Sequence, residues 1–144
     1  MSLTQTLQNY KALIETLPSK PKVDLFSGTV AEETLDKVTL DGDQCYVLLA
    51  CGGGPMVHEK PGMICDAVFG AFIIARADQD TKGVSRQAMN VGVEISKLLK
   101  KYRGEPTLNP GLPKIQSFEE LLSGFKGKNF SAWQLAWTHW VSFD

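Results

Sequence analysis

Residues 63–77, MICDAVFGAFIIARA, are the stretch that most restricts what this chain can fold into. The run is too short, and too broken by Asp66 and Arg76, to span a bilayer. Ala67, Phe69, Ala71, Ile73 and Ala75 are apolar at alternate positions, and Val68, Phe72 and Ile74 fill most of the positions between. Side chains of a strand alternate between its two faces, so a strand of this pattern needs cover on both. Asp78 to Lys82 then reads as a turn, and Val84, Ala88, Val91, Ile95, Leu98, Leu99 and Tyr102 fall on one side of a helix over 82–103. One helix covers one face. The other face requires more of this chain or a second copy of it.

The remaining segments follow the same two periods. Leu3, Leu7, Tyr10, Ile14 and Leu17 form the apolar stripe of a helix near 2–17, ended by Pro18. Val23–Phe26 and Gln44–Cys51 read as strands, the second apolar on both faces. Between them, 29–43 is acidic and reads as a solvated loop or short helical turn, with Asp41-Gly42 as a turn signal. Residues 52–62 read as a Gly/Pro-rich hairpin loop, and 105–113, with three prolines, as an irregular excursion after a left-handed cap at Gly104. Ile115–Phe125 reads as a strand or bend. Phe130–Phe143 alternates cleanly: Trp133, Leu135, Trp137, His139, Val141 and Phe143 share one face, and Trp140 interrupts a mostly polar opposite face. The expectation is a single α+β domain over 1–144, a mainly antiparallel sheet with two helices packed on one face.

Composition narrows the function classes. The chain has 43% apolar and 22% charged residues and a net charge of −1, so no global field draws it to nucleic acid or membrane. Charge is nevertheless uneven: residues 1–60 carry five basic and eight acidic groups, against ten and eight afterwards. No signal peptide is read at MSLTQTLQNY, and three cysteines make no disulfide framework, so a reduced, intracellular protein is expected.

Cys45, Cys51, His58 and Cys65 are zinc-binding residue types, but their gaps of five, six and six residues match no close ligand pair. Cys45 and Cys51 are expected to point apart on their strand. The four are therefore read as structural, with no metal, cofactor or catalytic residue assigned. His139 lies on an apolar face, as a core or interface histidine does. The glycine run at 52–54 precedes no helix and lacks the Gly-Lys-Ser/Thr of a phosphate loop. Lys97, Lys100, Lys101 and Arg103 cluster at a helix C-terminus, where they complement the helix dipole or face nucleic acid.

Taken in order, the N-terminal helix, short strands, long strand (VFGAFIIARA), polar turn (DQDTKG), helix (QAMNVGVEISKLLKK) and Trp-rich closing strand (WQLAWTHWVSF) resemble phage tail terminator proteins. The likeness is to those of Mu-like contractile-tailed phages and covers nearly the whole chain. It implies a homohexameric ring at the head-proximal end of the tail tube, formed either by the chain alone at high concentration or only on the tube. Such a ring ends tube growth, meets the head-connector proteins and leaves a channel for DNA. It implies a virion protein assembled in the host cytoplasm, with no enzyme activity, cofactor or membrane contact. On this reading Phe72, Ile74 and Trp140 are subunit contacts, and Lys97, Lys100, Lys101 and Arg103 are the channel-facing residues. The competing readings are a small dimeric α+β binding or adaptor domain and, behind it, a Cys/His metal protein.

Overall fold

The computed structural model describes residues 2–25, 45–58, 60–76, 86–123 and 130–144. The expectations for 29–43, for the turn at 78–82 and for Val84 lie outside them. Among the described residues two helices, α1 (Ser2–Glu15) and α2 (Arg86–Lys101), lie on one face of a six-stranded sheet, as the α+β reading expects. The strands are β1 (Lys22–Leu25), β2 (Tyr46–Gly53), β3 (Met56–Val57), β4 (Ile64–Arg76), β5 (Lys114–Ser123) and β6 (Phe130–Ser142). Their spatial order is β1-β2-β4-β6-β5, with β3 also on β4, and only β1–β2 is parallel.

β4 occupies the centre because it is the strand with two apolar faces. It pairs over its whole length with β6, from Ile64 opposite Ser142 to Arg76 opposite Phe130. Its odd positions, Cys65 to Ala75, enter the core beneath the helices with Val47, Leu49, Leu135, Trp137 and Val141. The α1 stripe supplies Tyr10, Ile14 and Leu17 to this core, and α2 supplies Ala88, Val91, Ile95 and Leu99. Ile95 is fully buried, as its place on the stripe requires. Gly104, at φ +63°, turns the chain out beyond α2 as expected of a left-handed cap. Phe143 falls just past the end of β6 and is exposed, not on the core face.

The loop expected over 52–62 is in part strand. β2 runs to Gly53, and after a bulge β3 resumes pairing with β4, with bends at Lys60, Pro61 and Gly62 before β4 begins. Gly54 is required by close approach, since a Cβ there would collide with the Asp66 carbonyl. The excursion 105–113 also has a place. β5 leaves β6 beyond Thr138, and this segment takes over the vacated margin: Ser142 N–H donates to the Leu108 carbonyl (2.8 Å) and Asn109 Nδ2 to that of Trp140 (3.2 Å).

Candidate functional site

Three places could carry function: a buried polar chain within the core, a groove between the helices, and the sheet face the helices leave uncovered.

The first joins three elements that are far apart in sequence. His139 projects from β6 into the helix side and is 1% exposed. Its Nε2 donates to the Gly111 carbonyl (3.1 Å), which fixes the tautomer and leaves Nδ1 to accept from the Tyr10 hydroxyl of α1 (2.5 Å). Burial pushes the imidazole below its ordinary value, partly opposed by the Gly111 carbonyl, and pushes the Tyr10 phenol up. Both groups are therefore neutral near pH 7, tied to each other and to a backbone carbonyl. His139 is the satisfied core histidine that its apolar face implies.

Beside it, a cavity of about 110 Å³ opens between the 110–112 segment and the sheet, lined by Asp66, Lys114, Thr138 and Trp140 among others. Asp66 and Trp140 are cross-strand partners, which explains the one carboxylate in an otherwise apolar strand: it stands on the uncovered face.

The thiols do not converge with a histidine. Cys45 and Cys65 are buried in the core and Cys51 packs against it, all on the helix side of the sheet. The expectation that Cys45 and Cys51 point apart is incorrect, because a separation of six residues preserves the face of a strand. Burial raises Cys45 to about 12 and pushes Cys51 and Cys65 up as well, so all three are protonated thiols. His58 sits exposed in the turn after β3. Among the described residues no group of three His, Cys, Asp or Glu side chains is placed to hold a metal ion.

The basic cluster is at the surface. Lys97, Lys100, Lys101 and Arg103 are exposed, and none makes an ion pair among the described residues. Lys97 and Lys101 border an open groove of about 380 Å³ whose apolar lining is Leu13 of α1 with Leu98 and Tyr102 beyond the buried stripe of α2. The sequence marked the cations but not the groove. The spacing of Lys97, Leu98, Lys101 and Tyr102 was its signal, two side chains each repeated one turn later.

On the uncovered face the three expected contact residues part company. Ile74 has no exposed surface in the single chain, so it offers nothing to a neighbour; as a subunit contact it is corrected by its own burial. Phe72 and Trp140 are partly exposed. The Phe72 ring lies over Gly70, in a row of small residues in which Ala50, Gly70 and Ala136 are partners across three strands. Val68, missed as a surface residue by sequence reasoning, stands beside this row 43% exposed. The result is an apolar patch of an aromatic ring, a valine and small residues.

No protein family and no curated protein matches the chain.

Proposed function

We propose that this chain is an assembly subunit of a phage tail, a terminator that closes into a ring of six at the head-proximal end of the tail tube. The ring ends tube growth and receives the head-connector proteins, and DNA passes through its centre. The observation that carries this reading is the uncovered sheet face, where Val68, Phe72 and Trp140 are left partly in water around a row of small residues. Apolar surface rimmed by polar side chains is what an association site looks like. This patch and the basic helix groove lie on opposite sides of the subunit. Closed rings are made head to tail, from two unlike patches that face away from each other. The work is association and requires no cofactor.

Tails assembled without the protein test the reading. Tubes should then vary in length and fail to join heads; uniform tubes that accept heads would refute it. Phe72→Glu and Trp140→Glu should block ring formation while sedimenting as folded monomers. A stable dimer through this face, with tube length unaffected, would instead support an adaptor domain.

A further inference from the structure

The groove between α1 and α2 has a composition that nothing so far explains. The helices run antiparallel on the sheet: Tyr10 of α1 meets Tyr102 at the end of α2 (ring centroids 5.4 Å), and Ser19, just past α1, donates to Glu94 in its middle (2.8 Å). Between them Leu13, Leu98 and Tyr102 make an apolar lining, with Lys97 and Lys101 exposed one turn apart. Glu15, the carboxylate of α1 nearest Leu13 in sequence, is engaged by Lys11 at 3.7 Å. The groove therefore presents positive charge around a greasy strip.

That combination suits an acidic segment with interspersed aliphatic residues better than it suits DNA. A phosphate backbone is met by cations tracking along it and has nothing to bury against Leu13 and Leu98. The chain carries such a segment. Residues 29–43, TVAEETLDKVTLDGD, hold Glu32, Glu33, Asp36, Asp41 and Asp43 against one lysine, with Val30, Leu35, Val38 and Leu40 among them. Glu32 and Asp36 are four residues apart, as are Lys97 and Lys101.

We infer that in the assembled ring the groove of one copy receives the acidic segment 29–43 of its neighbour. This rests on the ring reading and names its second contact. The uneven charge of the chain then has a use: its acidic early half meets the basic helix end of the next copy, and the match favours encounter in one orientation.

Charge exchange tests it on the full chain. Lys97→Glu/Lys101→Glu and Glu32→Lys/Asp36→Lys are made as separate double variants, and self-association is measured by sedimentation, with thermal melts to establish folding. Each variant alone should associate at least about tenfold more weakly than the unaltered chain. An equimolar mixture should recover association, because every groove then finds a segment of opposite charge in an alternating ring. For the unaltered chain, rising salt should weaken association, a readout that needs no variant.

Failure of the mixture to recover, with recovery only when all four changes share one chain, would show docking within a chain and overturn the inference. Unchanged association with lost retention on double-stranded DNA would overturn it in favour of a channel-facing role for the lysines. A chain that stays monomeric even at millimolar concentration would also overturn it. The ring reading stands or falls separately, on the length of tails made without the protein.

Discussion

Under the helices, Tyr10, Phe69 and Trp137 pack ring against ring, with centroids 5.3 to 6.1 Å apart, and Ile73, Leu135 and Ile95 fill in around them. On the other side of the same strands, Phe72 lies over Gly70, whose strand partners are Ala50 and Ala136, and Val68 faces water. That second side is itself divided. Leu48, Ile74 and Ala132 at one end are buried, whereas Val68 at the other is open. One strand thus differs by parity: the odd positions of β4 hold the fold together, and its even positions from Asp66 to Phe72 keep surface in water.

The sharpest way to break this contrast is to truncate one aromatic on each side. Trp137→Ala should cost about 3–5 kcal/mol, since the whole ring is lost from a packed interior. Phe72→Ala should cost less, because part of its surface is already hydrated. Urea denaturation of the two variants measures the difference, and equal losses would erase the distinction between the faces. A smaller effect divides the two sides of α2: Ile95→Ala should lose about 2–5 kcal/mol, whereas Val93→Ala, at an exposed position, should stay within about 0.5 kcal/mol.

Acid sharpens the comparison further, because His139 is on the helix side alone. Its folded-state pKa lies below the ordinary value of 6.5, so as pH falls the unfolded chain takes up the proton first. Its contribution to stability should therefore be complete above pH 6.5 and decline as pH drops through and below that value. Tyr10→Phe, which removes the hydroxyl that Nδ1 accepts from, should cost about 1 kcal/mol at neutral pH. His139→Asn should flatten the acid limb in urea denaturation across a pH series; an unchanged limb would mean that another group controls it. The smallest effect concerns the thiols. With Cys45, Cys51 and Cys65 on the core side and His58 exposed elsewhere, a chelator should leave the melting temperature unchanged and the purified protein should hold no stoichiometric zinc.

Legibility followed periodicity. β4, β6 and α2 could be read from sequence because each keeps one period over three or more repeats. β5 was legible only as a strand or bend, because its register slips twice, between Ile115 and Ser117 and between Glu120 and Leu122. The first slip puts Ile115 opposite Trp137 and Phe118 opposite Leu135, so two residues three apart share the core side. No alternation survives that. The glycines at 52–54 misled in a different way: they were read as part of a hairpin loop, whereas Gly54, between β2 and β3, is there for close backbone approach to β4. At the candidate surfaces, sequence named Phe72, Trp140 and the lysines but also Ile74, since apolar pattern alone does not separate the buried end of a face from its open end. The Tyr10–His139 link was invisible because only the fold brings residues 129 positions apart together.

The segment 105–113 has one further consequence. A bare strand margin is a template on which any extended peptide can continue a sheet, and that is the usual route from a β-rich protein to a fibre. Here the last residues of β6 have their margin taken by Leu108 and Asn109, in a stretch whose prolines lack the donor that a recruited strand would need. Neighbours cannot be added at that stretch of margin by running the sheet onward. For a protein proposed to halt the growth of another polymer, that is a safeguard against becoming one.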